Sequence, residues 1–339
     1  MKLLIIKLSS LGDVIHSLPM IYKLKQNYPD AQIDWMVGEK GYELLSLIDG
    51  LDNIYLPTLK NILLIQKQKY DYVIDVQGLF KSGLLSKLSL GKKIIGFKNT
   101  REFADVFYDE KINVGDLFNT KKHIVDLNLE LVSRLTPGGQ SSMVKFLIPK
   151  VSMPDSKGFL KIINRSSVVV FPATTWDSKH WPMEYWFEIL SNLFKNFKIC
   201  LCASSSDLPF IKDLIYKLDA GNIPYENLIG KTTIKDLIFL IQNTNLVIGL
   251  DSAGLHLASA IKNDYGVPEV IGIYGPTSPF RNGPYNLKKD CLFLSELECI
   301  ACRKKECPLG HHKCMNDITP ALLQKIINTK FRLQEMGIR

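Results

Sequence analysis

The chain has 339 residues, a length that predicts two domains. Its content of 46% hydrophobic and 22% charged residues is typical of a globular protein. No apolar stretch approaches the roughly eighteen residues that a membrane-spanning helix needs, and the N-terminal apolar run at 3–6 is too short for a signal peptide. The sequence therefore argues against a membrane-spanning or exported protein and predicts a cytoplasmic location.

The net charge of +8 lies mainly in the first half of the chain. Through Arg165 there are 23 Lys and Arg residues against 17 Asp and Glu residues, whereas the remainder carries 19 against 17. A run of 42 positions contains nine of the basic residues: Lys60, Lys67, Lys69, Lys81, Lys87, Lys92, Lys93, Lys98 and Arg101. Such a cluster is either a solvated surface or a patch for an anionic partner. No nucleic-acid partner is expected, because the sequence has no nucleic-acid-binding motif.

Residues 9–13 form a loop of small residues between an apolar run and a helical pattern that begins at Val14. In open α/β sheets, ligands bind beyond the carboxyl ends of the strands. Gly12 lets another molecule come close, Ser10 offers a hydroxyl, and Asp13 stands where the helix begins. Asp13 is therefore either a helix cap or a carboxylate that acts on a ligand.

Short apolar strands alternate with amphipathic helices along both halves of the chain. Predicted strands lie at 3–6, 33–37, 53–56, 72–76, 93–97, 168–171, 199–202, 246–250 and 270–274. Predicted helices lie at 14–27, with Pro19 as an irregularity, and at 42–48, 59–68, 80–88, 125–135, 183–194, 209–218, 234–242 and 255–261. Periodicity is weak from 136 to about 165, as in a linker.

This alternation predicts an α/β fold in which parallel sheets are covered by helices. Because the pattern starts again after the linker, we predict two Rossmann-like domains, 1–160 and 161–339, that face a central cleft. The second domain includes a cysteine cluster at 299–314 and a C-terminal helix. The order of the strands within each sheet does not follow from the pattern.

Two loops in the second half carry the residue types of an anion site. Thr174 and Thr175 follow a predicted strand, and Lys179 stands between two tryptophans before the next helix. Asp251 follows another strand, and His256 lies on the first turn of the helix after it. Hydroxyl groups, helix-start amides and a lysine together suit phosphate groups. A turn with a surface lysine, and a histidine with a structural role, would give the same pattern.

A third loop, at 274–279, follows the last predicted strand and contains Gly275, Pro276 and Thr277. Such a rigid turn of small residues can contact the edge of a nucleotide, or it can simply be a turn. Both interpretations stay open for this loop.

Four cysteines, Cys299, Cys302, Cys307 and Cys314, fall within sixteen residues in the spacing C-x2-C-x4-C-x6-C. In a cytoplasmic protein such a cluster argues against disulfides and permits a structural zinc or iron site. The spacing matches no standard zinc module, because the C-x2-C pair occurs only once. A structural metal at these residues is therefore one hypothesis, and ordinary free thiols are the other.

Three segments in order resemble signatures of the ADP-heptose lipopolysaccharide heptosyltransferases. They are SSLGDVIHSLP at 9–19, PATTWDSKHWPMEYW at 172–186, and DSAGLHLASA at 251–260 followed by IYGPTSP. Weaker likenesses lie between them, in YDYVIDVQGLFKS and NTREF, so the resemblance covers nearly the whole chain. The first segment is most similar to heptosyltransferase I members of the family.

The resemblance implies a GT-B-like architecture, with the acceptor bound by the N-terminal domain and the ADP-sugar by the C-terminal domain. It implies an inverting transfer of heptose from ADP-heptose to the Kdo and inner-core region of lipopolysaccharide, without a catalytic metal or other cofactor. By this resemblance Asp13 would be the general base, and Lys179 would stabilise the leaving ADP. The residues that would contact the donor are Thr174, Thr175, Lys179, Asp251, Ser252, Ala253 and His256.

An anionic, lipid-linked acceptor would account for the positive first half, and contact with the cytoplasmic face of the inner membrane is then expected. The residues we assign to the acceptor as a hypothesis are Ser10, Gly12, Lys81, Lys98 and Arg101. Two alternatives stay open. One is a GT-B transferase that uses another nucleotide sugar or a protein acceptor, and the other is a non-catalytic protein that binds sugar nucleotides.

Overall fold

A computed structural model describes residues 1–118, 121–136, 143–152 and 166–335. The chain divides into two compact units, Met1–Pro149 and Lys150–Arg339. Most of the linker predicted from 136 to about 165, at 137–142 and 153–165, and the domain boundary predicted near 160 lie outside the described residues. Among the helices that are described, none combines the length and the apolar character that crossing a bilayer requires.

The first unit is built on a parallel sheet in the order β3-β2-β1-β4-β5-β6. Its strands are β1 (Lys2–Ile6), β2 (Gln32–Met36), β3 (Asn53–Tyr55), β4 (Tyr72–Asp75), β5 (Lys93–Phe97) and β6 (Glu110–Ile112). Its helices are α1 (Leu11–Ser17), α2 (Pro19–Asn27), α3 (Glu39–Leu45), α4 (Leu59–Gln68), α5 (Phe80–Leu88) and α6 (Ile124–Ser133). Both faces of β1 are covered, so its four apolar residues are fully buried, as the unbroken apolar run predicts.

The second unit has a parallel sheet with the corresponding order, β9-β8-β7-β10-β11-β12 when read from the same end. Its strands are β7 (Ser167–Phe171), β8 (Lys198–Leu201), β9 (Tyr225–Asn227), β10 (Leu246–Leu250), β11 (Glu269–Ile273) and β12 (Cys291–Leu292). Its helices are α7 (Met183–Leu193), α8 (Leu208–Ala220), α9 (Ile234–Gln242), α10 (Ala253–Tyr265), α11 (Pro279–Asn282), α12 (Lys313–Asn316) and α13 (Pro320–Glu335). Each unit therefore reverses its strand order once, beside its first strand.

One predicted helix is corrected. The single helix expected at 14–27 is two helices, α1 and α2, and the first begins at Leu11 rather than at Val14. Ser10 is the N-cap of α1, and Pro19 is the first residue of α2. A proline is tolerated there because the backbone N–H of the first helical residue makes no hydrogen bond within the helix. Gly12 and Asp13 thus belong to the first helical turn and not to a loop before it.

Lys330 on α13 anchors this last helix to the second sheet. Its Nζ lies 2.7 Å from Oε2 of Glu269 and 2.9 Å from Oδ1 of Asp290. Burial opposes the charge on Lys330, but the two carboxylates outweigh it and raise the pKa of the lysine. The pairs are partly buried, so they hold α13 to the sheet more firmly than surface ion pairs do.

Candidate active site

In the first unit, a capping box orders the residues that follow β1. Oδ2 of Asp13 accepts hydrogen bonds from the backbone N–H of Ser10 at 2.9 Å and from its hydroxyl at 3.0 Å. The predicted helix-cap role is thus partly right: Asp13 closes the box, although Ser10 is the cap. Asp13 is held in a defined position after the carboxyl end of β1, next to the point where the strand order reverses.

Gln77, to which the sequence analysis assigned no role, connects the ends of β4 and β1. Its Oε1 accepts hydrogen bonds from the backbone N–H groups of Leu8 at 3.1 Å and Ser9 at 3.2 Å. Asp75 holds the turn that carries Gln77, because its Oδ1 accepts the backbone N–H of Gln77 at 2.8 Å. Burial raises the pKa of Asp75 despite its hydrogen bonds from Tyr108 and other donors. This chain of contacts fixes the backbone that leads to Asp13.

The residues predicted to contact an acceptor follow three neighbouring strands of the first sheet. Ser10 and Gly12 follow β1, Lys81 follows β4 at the start of α5, and Lys98 and Arg101 follow β5. Gly12 is buried, whereas Ser10 and the three basic residues are exposed. The guanidinium carbon of Arg101 lies 4.8 Å from the centre of the Phe118 ring, in a cation–π contact.

In the second unit, Asp251 gathers residues from three loops. Its Oδ2 lies 2.7 Å from Nζ of Lys179 and accepts a hydrogen bond from the Thr277 hydroxyl at 2.7 Å. Its Oδ1 lies 3.0 Å from Nε2 of His256. The hydroxyl of Thr174 donates to the backbone oxygen of Asp251 at 3.1 Å. The loops after β7 and β10 are thus joined where the strand order of this sheet reverses, which is the usual ligand position in such sheets.

The electrostatics of Asp251 follow from these contacts. The carboxylate is buried, and burial alone would raise its pKa. The Lys179 ammonium and the His256 hydrogen bond outweigh burial and hold the pKa of Asp251 well below its usual range. Asp251 is therefore ionised at neutral pH, and its charge holds the ammonium of Lys179 at the carboxyl end of β10.

Trp176 contacts the side chain of Lys179, and His180, the next residue in the sequence, closes the loop that carries it. Nζ of Lys179 lies 4.4 Å from the centre of the Trp176 ring. Burial lowers the pKa of His180, and its Nε2 lies 2.9 Å from the backbone oxygen of Thr174. The same Nε2 lies 3.4 Å from the backbone nitrogen of Thr174, so either neutral tautomer of His180 can bond to this residue and close the loop. The side chain of Lys179 is only 13% exposed, so this residue is not a surface lysine on a turn.

The remaining predicted donor residues lie at the N-terminus of α10 and beside it. Ser252 is the N-cap of α10 and Ala253 is its first residue. The Ser252 hydroxyl is buried and has no hydrogen-bond partner among the residues that the structure describes. Thr175 is exposed, next to Thr174. An unsatisfied hydroxyl at the start of a thirteen-residue helix suits a phosphate oxygen.

The sequence left open whether the loop at 274–279 contacts a ligand, and it assigned no particular role to Thr277 or Tyr274. Thr277 is buried and bonded to Asp251, so the loop at 274–279 belongs to the site and is not only a turn. The Tyr274 hydroxyl is buried without a partner among the described residues, and burial together with the charge of Asp251 raises its pKa. The position of this loop after a strand of the same sheet was the signal that could have identified them.

The four clustered cysteines line one small cavity of about 20 Å³, together with His311 and His312. Burial and the three other cysteines raise the pKa of the Cys314 thiol to about 11. Backbone N–H groups, first that of His312, lower the pKa of the Cys307 thiol. Within the described ranges, no group of three or more His, Cys, Asp and Glu residues is arranged to hold a metal ion. The structural zinc or iron hypothesised here stays a prediction.

These opposed pKa shifts predict unequal thiol reactivity. Because the thiolate is the reactive form, iodoacetamide at pH 7.5 is expected to label Cys307 at least about tenfold faster than Cys314. Peptide mass spectrometry over a time course measures the two rates, and labelling of unfolded protein serves as the control. Equal rates in the folded protein would contradict the expectation. Labelling that begins only after a chelator is added would show that a metal covers the thiols.

Comparison with known proteins identifies the family. The family model described as glycosyltransferase family 9 (heptosyltransferase) matches residues 61–313, which is well over half of the chain. The chain belongs to this family. It is therefore a glycosyltransferase of the heptosyltransferase family, and the predicted resemblance is confirmed.

Individual relatives of this family 9 glycosyltransferase agree with the assignment. The chain is 28% identical to the lipopolysaccharide core heptosyltransferase OpsX of Haemophilus influenzae, over 84% of this chain and 82% of the relative. It is 26% identical to lipopolysaccharide heptosyltransferase 1 of Escherichia coli K12, over 84% and 91%. The solved structure of E. coli ADP-heptose lipopolysaccharide heptosyltransferase II superposes with a TM-score of 0.78 at 21% identity, over 99% of this chain and 100% of that one. The predicted fold class, α/β with two Rossmann-like domains, is confirmed.

Proposed function

We propose that the chain is an inverting glycosyltransferase that transfers heptose from ADP-heptose to the Kdo and inner-core region of lipopolysaccharide. The family match and the named relatives support ADP-heptose transfer in the biosynthesis of the lipopolysaccharide core. The observation within this chain that carries the proposal is the ammonium of Lys179, which Asp251 holds beside the N-terminus of α10. A cation and free helix amides at one strand end suit the diphosphate of a nucleotide sugar.

In the proposed reaction, the second unit binds the donor and stabilises the leaving group. Lys179, the Ser252 hydroxyl and the first N–H groups of α10 would contact the diphosphate, with Thr174, Thr175 and Ala253 beside them. As the bond between the anomeric carbon and the phosphate oxygen breaks, negative charge grows on ADP, and Lys179 would offset it. Both oxygens of Asp251 already have donors in the protein, so we assign Asp251 and His256 to holding the lysine in place.

The first unit would bind the acceptor and supply the general base. Asp13 would take the proton from the acceptor hydroxyl while the hydroxyl oxygen attacks the anomeric carbon on the face opposite to ADP. This attack inverts the anomeric centre. The capping box and Gln77 would hold the Asp13 carboxylate in one position, so that it approaches the acceptor hydroxyl in the same geometry in each turnover.

A lipid-linked, phosphate-bearing acceptor fits the charge of the first unit. Exposed Lys81, Lys98 and Arg101 follow the strands next to β1 and would contact its carboxylates and phosphates. Such an acceptor lies in a bilayer, so we propose that the protein acts at the cytoplasmic face of the inner membrane as a peripheral protein. No resident cofactor takes part in the transfer as proposed.

The proposal is tested with the purified full-length chain and defined substrates. Transfer is measured by mass spectrometry with a Kdo-bearing acceptor and, in turn, ADP-heptose, GDP-sugars and UDP-sugars. ADP-heptose is expected to give product and to raise the melting temperature of the protein, because a donor that binds the folded state stabilises it. Transfer from a uridine or guanosine donor, or transfer to a protein acceptor alone, would contradict the proposal and favour a transferase with another donor or acceptor. Binding of the donor without any transfer would favour a non-catalytic protein.

Charge reversal at Lys98 and Arg101 tests the acceptor contacts. The double variant Lys98→Glu/Arg101→Glu is expected to raise the KM for a water-soluble acceptor about tenfold or more, because two attractive contacts become repulsive. The KM for ADP-heptose is expected to stay the same. Lys198→Glu, an exposed lysine at the start of β8, is the matched control. Acceptor kinetics that do not change would remove these residues from the acceptor site.

A further inference from the structure

Three helical segments cover one face of the first sheet. They are α4, α5 and the short 3₁₀ helix Ala104–Phe107, and right-handed crossovers to β4, β5 and β6 place them on the same side. They are in contact with one another: Nε2 of Gln66 donates to the backbone oxygen of Leu88 at 2.9 Å, and the Phe80 and Phe107 rings lie 5.3 Å apart. The segments therefore form one continuous outer surface.

The inner sides of these segments already supply the core that covers the sheet. Ile65 of α4, Leu85 of α5 and Ala104 are buried in one hydrophobic cluster with β1, β4 and β5. This core does not need the large apolar residues on the outer sides, which are left 40% exposed or more.

The outer surface is nevertheless rich in large apolar side chains. Of the large hydrophobic residues that are exposed within the described ranges, half lie on these segments or directly beside them: Leu59, Leu63, Leu64, Phe80, Leu84, Leu88, Leu90, Phe103 and Val106. Leu59 is 82% exposed, Phe103 74% and Leu63 60%. Scattered single residues of this kind are normal, but a concentration of them on one face marks an interaction surface.

Lysines are interleaved with these apolar residues. Exposed lysines on and beside the two helices are Lys60, Lys67, Lys69, Lys81 and Lys87. From residue 59 to residue 107 the sequence contains nine Lys and Arg residues against four acidic residues, Asp71, Asp75, Glu102 and Asp105. Asp75 is buried, Oδ1 of Asp71 lies 2.7 Å from Nζ of Lys92, and Oε2 of Glu102 accepts the backbone N–H of Phe80 at 3.2 Å. The face is therefore apolar and carries a net positive charge.

We propose that this leucine–lysine face, formed by α4, α5 and residues 103–107, docks the protein on an anionic bilayer. The apolar side chains would enter the boundary between headgroups and acyl chains, and the lysines would contact the anionic headgroups. A protein partner that covers an apolar patch does not require this excess of lysine, whereas an anionic bilayer complements both properties at once. The inference deepens the proposed function, because it names the surface that brings the enzyme to a lipid-linked acceptor.

The position of the face supports this role. Phe80 and Lys81 begin α5, which follows the carboxyl end of β4, and Phe103 lies two residues after Arg101. The face thus continues into the strand ends at which Asp13 and the proposed acceptor residues lie. A bilayer on this face would place the headgroup region next to those strand ends. An acceptor anchored in the same bilayer could then reach Asp13 and the proposed acceptor residues.

The apolar contribution is tested by sedimentation of the full-length protein with vesicles of phosphatidylglycerol and phosphatidylcholine. The wild type is expected to bind, and Leu59→Ser/Leu63→Ser is expected to bind at least about tenfold more weakly, because hydrocarbon is removed from the inserted face. Tyr216→Ser/Leu322→Ser, which removes exposed apolar groups from the second unit, is the matched control and is expected to bind as the wild type does. Equal binding by both double variants would overturn the proposal.

The lysine contribution is tested by changing the lipid and the salt. Lys60→Gln/Lys67→Gln is expected to lower binding to phosphatidylglycerol vesicles about tenfold or more, to leave binding to pure phosphatidylcholine unchanged, and to reduce the salt dependence. Sedimentation equilibrium without lipid tests a competing occupant. A dimer that Leu59→Ser/Leu63→Ser dissociates would assign the face to a second copy of the chain and overturn the proposal.

Activity separates this inference from the proposed function. With a water-soluble acceptor and no vesicles, both face variants are expected to transfer heptose at the wild-type rate, whereas with a vesicle-embedded acceptor their rates fall with their binding. Wild-type protein that binds vesicles but transfers no heptose would contradict the proposed function alone. Wild-type protein that transfers heptose to the soluble acceptor but does not bind anionic vesicles would contradict the docking face alone.

Discussion

Asp13→Asn is expected to lower the rate of heptose transfer at least about a hundredfold while ADP-heptose binding stays unchanged. The substitution keeps the size of the side chain and an oxygen that can accept the N–H of Ser10, so the capping box is largely preserved. It removes the group that would take the proton from the acceptor hydroxyl. Steady-state transfer and donor titration by calorimetry measure the two effects separately.

Asp236→Asn is the matched control for this experiment. Asp236 closes the same kind of box at the start of α9, where its Oδ2 accepts the N–H of Thr233 at 2.8 Å. The control reports what loss of a capping carboxylate does to stability and activity when no catalytic role is proposed. If Asp13→Asn lowers transfer no more than Asp236→Asn does, Asp13 is a structural capping residue and the base lies elsewhere.

Lys179→Met is expected to lower kcat about a hundredfold to a thousandfold, because the positive charge that offsets the leaving diphosphate is lost. Methionine keeps much of the length and the apolar stem of the side chain. Lys217→Met is the control, since Lys217 forms an exposed ion pair with Glu184 at 3.5 Å. Single-turnover measurements with saturating donor give the rate of the chemical step. A kcat near that of the control would contradict the assigned role.

The same substitution is also expected to change the acid stability of the protein. In the wild type the pKa of Asp251 is held low, so its contribution to the free energy of unfolding is present above about pH 4 and is lost as the pH falls through the folded-state pKa. Without Lys179 the pKa of Asp251 rises, and this contribution is lost at higher pH. Denaturant unfolding between pH 3 and pH 8 is expected to show a larger deficit for Lys179→Met at the neutral end than at the acid end.

Local periodicity predicted most of the elements closely. The helices at 59–68 and 234–242 and the strands at 93–97 and 246–250 agree with the structure to the residue. The strands β6, β9 and β12 were missed, because each is only two or three residues long. Each is also an edge strand, which pairs with one neighbour and therefore does not need a run of buried apolar residues. The strand order depends on pairing between segments that are distant in sequence, so it cannot be predicted from local periodicity.

The site was predicted as residue types, not as contacts. Lys179, Asp251 and His256 were each identified from a loop, but the structure shows that one carboxylate holds the other two. Residues 179 and 251 lie far apart in sequence, so their pairing follows only from the sheet that brings β7 beside β10. No specific role was assigned to Thr277 or Gln77 from the sequence for the same reason, since their roles consist of hydrogen bonds across neighbouring strands. The lysine cluster was recognised, but its apolar neighbours became visible only once the inner sides of α4 and α5 were known.

The contacts that Asp251 makes with residues of three loops lower the entropic cost of donor binding. Lys179, His256 and Thr277 are already restrained by one buried carboxylate before any substrate arrives. The conformational entropy lost in ordering these side chains is therefore lost when the protein folds, and it does not oppose association with the donor. Preorganisation of this kind lets a modest number of polar contacts give useful affinity, and it leaves the lysine in place at the moment the sugar departs.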